Sequence, residues 1–418
     1  MKFSQKTAVY LAVFCFPLPL IFLFNQAITG NFLNFIYYDA GITAYCWWLS
    51  ATFLSTRPNW LVQRMSMPSL YFLHGILGVG SLALAFLHRH NLITMGQLIH
   101  LTGDWAWYLS LGSMIYAVIF LSGWLVDRFR IIAKLKRFLE HVFKHQITIW
   151  LHRLNLIAII LIWLHVHLIG RINAHFVFMT LFDLYTFGIL GWYLWNLLFP
   201  KQTKAIVTKK AWLNETTFQL NLKLEKPFKN YQAGDFYFLK SKTVKEARPF
   251  SVTEPSNDKG KVLFTIRVLG DDTKKLSQLN LQDQVELEGP FGHFAPTIKR
   301  HPNIKMVFIG MGTGISPLLS LAQKFNYTHP IKILWCVHQK SDLYYDEELT
   351  KMTNNNLIYH HQIGHFNLEQ LNKLISHSEF DQALFVIVGP STGVLSTRKI
   401  LSKKGVARDH ILDERITM

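Results

Sequence analysis

Through the first 200 residues apolar positions run together with few charged breaks, and from about residue 202 they become short runs alternating with polar ones. A helix needs about 20 apolar residues to cross a bilayer. Six stretches reach that length: 8–28, 36–55, 69–88, 105–126, 149–169 and 178–198. Lys2 and Lys6 precede the first stretch and no small-residue cleavage site follows it, so it reads as a retained span and not as a signal peptide. Pro17 and Pro19 predict a kink within it. Beyond 202, FQLNLKLEKP and GDFYFLK alternate with period two and read as strands. KMVFIGMG, IKILWCV and ALFVIVG are continuous apolar runs separated by helical stretches, the pattern of a parallel sheet.

Half of the 418 residues are apolar and 17% are charged, where soluble proteins carry about a quarter. The average conceals two populations. Residues 1–200 hold 13 basic and 5 acidic residues, and residues 201–418 hold 30 and 21. In the first half the basic residues sort by loop. Lys2, Lys6, Arg57, Arg64, Arg128, Arg130, Lys134, Lys136, Arg137 and Lys144 fall on one side of the six spans, and Arg89 and Arg171 on the other. The excess of Lys and Arg on cytoplasmic loops then places both termini in the cytoplasm. This also gives the net charge of +17 a membrane meaning. The basic residues form no nucleic-acid-binding module, and Cys15, Cys46 and Cys336 have no paired spacing for a disulfide framework or a thiolate metal site.

Ionisable residues inside a bilayer are costly and mark function. Here they concentrate, as histidines, on two spans. LYFLHGILGVGSLALAFLH carries His74 and His88, and IWLHRLNLIAIILIWLHVHLIG carries His152 with His165 or His167. Spacings of 14 and 13 residues correspond to about 21 and 20 Å of helix rise, one imidazole near each membrane face on each helix. Two levels of paired imidazoles suit two stacked haems better than one metal ion. Phase favours His167, about 60° from His152, over His165, about 140° away. Gly75, Gly78 and Gly80 would let a macrocycle approach the backbone.

The second half carries ARPFSVTEP, where Arg248 can grip a pyrophosphate, Phe250 can stack on a flavin ring and the Ser251 hydroxyl can bond ring N5. IRVLGDDTKKL follows with Gly270 and Thr273, and then LEGPFGHF with Gly289 and Gly292. In KMVFIGMGTGISPLL a strand, a glycine turn and a helix start bring Gly310, Gly312, Thr313 and Gly314 to a pyrophosphate position at a helix N-terminus. The late strand ends on Gly389-Pro390.

RPFS, GPFG, GxGTGxxP and a final GP turn, behind six spans with paired histidines, resemble the NADPH oxidase/ferric reductase family, bacterial flavocytochromes b with a ferredoxin-reductase-type dehydrogenase module. The resemblance covers nearly the whole chain. It implies a membrane all-α six-helix bis-haem domain at 1–200, an antiparallel β-barrel FAD domain at 201–300 and an α/β Rossmann-like NAD(P)H domain at 301–418. It pairs His74 with His152 at an inner haem and, moving the choice to His165, His88 with His165 at an outer haem. It sets Arg248, Pro249, Phe250, Ser251, Gly270, Thr273, Gly289, Gly292, Gly310, Gly312, Thr313, Gly314, Pro317, Gly389 and Pro390 along FAD and the nucleotide. Departures are Val388, where reductases commonly have Cys, a tail Glu414-Arg415-Ile416-Thr417-Met418 without an aromatic, and Leu92 four residues beyond His88.

The expected function is a membrane oxidoreductase taking electrons from cytoplasmic NADPH through FAD and two b haems to oxygen or a ferric chelate outside, with no acid–base pair required. It is expected in a bacterial-type cell membrane. His338-Gln339-Lys340 after the second nucleotide strand lacks an acid for a ribose hydroxyl and favours NADPH over NADH. The alternatives are a cytochrome serving a quinone or partner protein, and a transporter or scaffold with a degenerate reductase module.

Overall fold

The computed structural model describes residues 5–93, 96–120, 150–226, 230–244, 246–257 and 259–416. Lys2, the end of the 105–126 run and the six basic residues from Arg128 to Lys144 lie outside them, as do Thr417 and Met418. The chain forms two units, one of Met1–Arg57 with Leu70–Phe199 and the other of Pro58–Ser69 with Pro200–Met418.

The helices begin with α1 (Gln5–Cys15), α2 (Leu18–Ala27), α3 (Phe32–Ser55), α4 (Asn59–Val62), α5 (Met67–Asn91) and α6 (Gln97–Phe120). After the segment that is not described come α7 (Leu154–Leu168), α8 (Gly170–Asn173) and α9 (Phe176–Leu198). All but α4 contribute to the helical unit. Pro17 sits between α1 and α2, where it lacks the N–H that would continue the ladder. The Asn31 side chain caps α3 by accepting from the Asn34 N–H at 2.8 Å. Among the described residues four stretches are long and apolar enough to cross a membrane: Lys6–Ala27, Met67–Asn91, Trp150–Leu168 and Phe176–Leu198. The other two expected spans are also helices, α3 and α6, of 24 residues each. Asp39 interrupts the first and His100 and Asp104 the second. Tyr45, Cys46 and Leu49 of α3, Ala158 and Ile159 of α7, and Phe178 and Phe182 of α9 form the core. Phe22, Phe72, Val79, Leu184 and Leu198 face outward and are exposed.

In the second unit, β1 (Gln202–Trp212), β2 (Thr217–Leu224), β3 (Phe236–Ser241), β4 (Arg248–Ser251), β5 (Lys261–Arg267) and β6 (Gln284–Phe291) make an antiparallel sheet in the order β4-β3-β6-β1-β2-β5. An antiparallel bridge from Val252, just past β4, to Phe264 of β5 joins its ends into a barrel. Alternation sends Tyr237 and Leu239 into the barrel core with Phe218, Leu220, Phe264 and Leu287. Helix α10 (Asp271–Ser277) follows β5 and α11 (Phe294–Ile298) follows β6.

The remaining strands, β7 (Met306–Met311), β8 (Ile331–Val337), β9 (Leu357–Ile363), β10 (Leu384–Pro390) and β11 (Ile411–Ile416), are all parallel in the order β11-β10-β7-β8-β9. Their connections carry α12 (Ile315–Phe325), α13 (Asp346–Met352), α14 (Leu368–Leu374), α15 (His377–Gln382) and α16 (Ser391–Lys403). After β7 the chain adds β8 and β9 on one side and returns to place β10 on the other, so the order reverses between β7 and β10. Open α/β sheets bind ligands at the carboxyl ends of strands flanking such a reversal.

The glycines around this reversal differ in their reasons. A Cβ on Gly314 would run into the Val388 carbonyl of β10, a backbone atom that cannot swing away. Gly270 has extended backbone and nothing within 4 Å of a built Cβ. Gly314→Ala is therefore expected to destabilise the full chain by about 1–3 kcal/mol through overpacking, while Gly270→Ala stays within about 0.5 kcal/mol. Denaturant titration of the two variants checks the contrast.

Candidate functional site

Two constellations stand out, one in each unit. In the helical unit three of the four imidazoles share an anchoring device, and the fourth, His152, has a buried Nδ1 without a partner among the described residues. His74 Nδ1 lies 2.9 Å from the Ala51 carbonyl and His88 Nδ1 2.9 Å from the Tyr37 carbonyl, both on α3. His165 Nδ1 lies 2.8 Å from the Ile99 carbonyl on α6. An Nδ1–H donated to a carbonyl fixes the ring and the tautomer, and leaves Nε2 with the lone pair that binds a metal. One turn beyond two of these carbonyls stands a glycine. A Cβ on Gly41 would meet His88 Nδ1 at 2.5 Å, and one on Gly103 would meet His165 Nδ1 at 3.2 Å. Any larger residue would hold the ring off the carbonyl.

His152 faces His74, with ring centroids 5.9 Å apart and planes tilted by 59°. Two imidazoles bound on opposite sides of one ion, with metal–nitrogen bonds of about 2 Å, take a centroid spacing of about 6 Å. Among the described residues no group of three or more His, Cys, Asp or Glu is placed to hold a bare metal ion. His74 and His152 are thus two imidazoles facing each other. His165 and His167 are separated by their partners. His167 has both ring nitrogens engaged, Nδ1 at 3.0 Å from the Trp163 carbonyl and Nε2 at 3.3 Å from Asp183, whose carboxylate also accepts from Trp163 Nε1. Among the described residues His165 Nε2 takes no such partner. The straight-helix phase that favours His167 does not apply, because a turn at Arg153 interrupts the helix directly after His152. Of the three span glycines, Gly75 has open space beside it, while Gly78 packs on Met114 and Gly80 on Trp47.

In the second unit, β4 pairs with β3 so that Phe236 lies opposite Ser251 and Tyr237 opposite Phe250. Arg248 is half exposed and held by Asp272 at 2.9 Å and Glu246 at 3.0 Å. To grip a pyrophosphate it must exchange these carboxylates for phosphate oxygens. Pro249 is exposed and Phe250 half-buried, its ring 6.5 Å from Phe264. The Ser251 hydroxyl donates to Glu414 Oε1 of β11 at 3.0 Å. Burial pushes the Glu414 carboxyl up to about 7, with the charges of Asp235 and Asp413 adding and Ser251 opposing. Asp235 is likewise raised by burial to about 7, against the Gln232 N–H and Lys299.

Other predicted residues serve the frame. Thr273 caps α10, its hydroxyl accepting from the Leu269 and Gly270 N–H groups at 2.9 and 3.1 Å. Gly289 has φ +145°, and a Cβ there would meet the Tyr237 ring at 2.8 Å; one on Gly292 would strike Asp235. Gly310 packs on Leu318, Gly389 on Met311, and Pro317 lies buried in α12.

Gly312, Thr313 and Pro390 come together at the strand-order reversal, lining a cleft open to solvent. Gly312 has φ +56° and open space where a Cβ would point. The cleft is completed by residues that sequence reasoning passed over: Arg267 and Leu269 from the barrel, Met311, Cys336 and Val337 from the strands, and Gly364, His365 and Ile416. His338 lines it too, its ring perpendicular to that of His365 at 5.9 Å. Arg267 Nε is buried without a hydrogen-bond partner among the described residues, a donor placed for an anion. Its only sequence signal is an Arg closing a strand beside an otherwise apolar run.

Residues 204–295 match the oxidoreductase FAD-binding domain family and residues 308–378 the oxidoreductase NAD-binding domain family. The chain thus carries ferredoxin-reductase-type FAD- and NAD-binding modules of an NAD(P)H-dependent oxidoreductase. Over 216 residues it is 24% identical to a Clostridium beijerinckii "uncharacterized protein in adh 3'region", covering 48% of this chain and 71% of that one. Over 77 residues it is 38% identical to the electron transfer subunit of dihydroorotate dehydrogenase B (NAD(+)) of Caldanaerobacter subterraneus, 18% of this chain and 29% of that one. A ferredoxin NADP+ reductase structure from Neisseria gonorrhoeae aligns with TM-score 0.46 at 16% identity, over 52% of this chain and 99% of that one.

Two outcomes follow from this geometry. A carboxyl of pKa about 7 when folded and 4.5 or 3.8 when unfolded keeps its proton only in the folded state between those values. The stability so gained is complete below the unfolded value and is lost as pH rises through about 7. Denaturant titration should show wild type losing stability between about pH 5 and pH 8, and Glu414→Gln losing less. Arg267→Ala should raise the KM for the nicotinamide nucleotide about tenfold, the worth of one hydrogen bond to a charged group, with bound flavin unchanged.

Proposed function

We propose that this chain is a transmembrane NAD(P)H oxidoreductase that carries electrons from a cytoplasmic nicotinamide nucleotide, through FAD and two b haems, to an acceptor on the far side of the membrane such as oxygen or a ferric chelate. The observation that carries the reading is the anchoring of His74, His88 and His165 through Nδ1 on carbonyls of neighbouring helices. It is supported by the FAD- and NAD-binding domains behind the helices. A membrane setting is supported by how little of each apolar window is buried within the chain, 11–28%. Water would penalise so much outward apolar surface, and lipid does not.

When bound, FAD supplies the step from hydride to single electrons and the haems supply single-electron relay. The protein's own part is placement. His74 with His152 would hold one haem and His88 with His165 the other, Gly41 and Gly103 giving the rings of the second pair room to reach their carbonyls. Arg248 would release Asp272 and Glu246 to hold the flavin pyrophosphate. Phe250 would flank the ring. Ser251, tied to a Glu414 that is half protonated near neutral pH, would hold a proton at the ring nitrogen. The Gly312 backbone and Arg267 would hold the nucleotide phosphates at the strand-order reversal, with Gly314 and Gly389 keeping β7 and β10 close. His338 and His365 on the rim, with Lys340 two residues beyond His338 in the chain, would favour NADPH.

Dithionite-reduced minus oxidised spectra test the assignment. Wild type should show b-type haem, His74→Ala and His88→Ala should each lose about half of it, and His167→Ala should keep it. Gly41→Ala, which pushes the His88 ring from its carbonyl, should lose about as much as His88→Ala, and Gly188→Ala none. A wild type without a Soret band, or His74→Ala and His88→Ala retaining full haem, would sink the reading. NADPH turnover with oxygen and with ferric citrate identifies the acceptor.

A further inference from the structure

Gly312 opens the turn between β7 and α12. With φ +56° and open space where a Cβ would point, its glycine freedom leaves two orientations to the peptide that joins it to Thr313. The two are not equivalent for an anion. A trans peptide is planar, so its C=O and N–H point in opposite directions. One orientation turns the Thr313 N–H to the cleft that Gly312 and Thr313 line, and the other turns the Gly312 carbonyl there. An N–H donates to phosphate oxygens, and a carbonyl oxygen repels them. The structure selects the first. Trp335 Nε1 donates to the Gly312 carbonyl at 2.9 Å, and the Ile315 N–H at the start of α12 donates to the same oxygen. Both lone pairs of that oxygen are then engaged on the core side.

The indole that makes this bond is itself held. Trp335 of β8 is wholly buried and clusters with Phe308, Leu318 and Leu319. Tyr344 meets its ring at 5.5 Å and 69°, and Tyr345 meets Tyr344 at 5.0 Å and 76°. The Tyr345 hydroxyl accepts from Gln219 Nε2 at 2.9 Å and shares a hydrogen bond with the Thr265 hydroxyl at 2.5 Å. Strands β2 and β5 of the barrel therefore brace the aromatic row that ends on the indole. We infer that Trp335 is a positioning residue for nucleotide binding: by holding the Gly312 carbonyl inward it keeps the Thr313 N–H turned to the cleft, where the pyrophosphate of a dinucleotide would accept from it. The inference rests on the proposed function, which puts the nucleotide phosphates on the Gly312 backbone. Trp335 does not line the cleft, so it acts through the turn.

The test uses the full-length protein in detergent and two replacements of Trp335. Trp335→Phe removes the N–H and keeps an aromatic ring. Insertion of 3-benzothienylalanine at the same position, with sulfur in place of the ring N–H, removes the donor and retains the volume. Both should keep bound FAD and raise the KM for NADPH in ferricyanide reduction about three- to tenfold, the worth of one hydrogen bond. Both should leave kcat within about twofold, as loss of uniform binding does. Calorimetry on the oxidised protein separates the peptide lock from general support of the cleft. NADP+ carries a pyrophosphate and should bind both variants about three- to tenfold more weakly. Adenosine 2′-monophosphate carries none and should bind within about twofold of wild type. Equal weakening of the two ligands, or an NADP+ affinity unmoved by the benzothienyl replacement, would overturn the positioning role. A wild type that binds neither ligand would instead remove the reading of the cleft as a nucleotide site, and the role of Trp335 with it.

Discussion

A buried imidazole among apolar helices has one N–H to satisfy, and the nearby acceptors are main-chain carbonyls already engaged in their own helices. The helical unit is organised around this constraint. Tyr37 and Ala51 on α3 are 14 residues apart, as are His88 and His74 on α5, so two antiparallel helices meet in matching register at both levels. At two of the three carbonyls a side chain one turn further on would crowd the imidazole. Gly41 and Gly103 provide room one turn beyond Tyr37 and Ile99. His167 is placed differently, its Nδ1 beside the Trp163 carbonyl and its Nε2 beside Asp183. That trio instead ties α7 to α9.

The second unit obeys a different constraint, the reversal of strand order between β7 and β10. There two parallel strands end side by side with their following helices on opposite faces, and the groove above them needs little side chain. Gly314 against the Val388 carbonyl and Gly389 against Met311 keep the two strands close, and Gly312 alone of the three has open space. The glycine motif thus divides into residues that build the groove and one that faces it. Arg267 reaches the groove from the barrel, so both folds of the module line it.

Much of this was legible in the sequence because the periodicities were strong. The apolar runs gave the helices, and the alternation of FQLNLKL and of GDFYFLK gave strands whose inward residues are those expected. His165 was not legible from spacing, since a straight-helix count fails across the turn at Arg153. Its carbonyl partner was not legible either, because any residue supplies one. Thr273 and Gly292 looked like ligand contacts and prove to serve a cap and a close backbone approach, since short polar and glycine motifs do not state which neighbour they accommodate. Glu414 looked like part of a plain tail, and only the pairing of β11 with β10 brings it to Ser251.

Ser251 shows how these separate constraints meet. Its strand is the last of the barrel, held on one side by β3 and continued by the Val252 bridge that closes the sheet. Its hydroxyl is committed to a carboxyl from the far end of the chain, kept partly protonated by burial. A shift of β4 by one residue would exchange inward and outward faces. That shift would break the Glu414 bond and turn Phe250 away together. The register of one four-residue strand is therefore specified from the nucleotide fold and from the barrel.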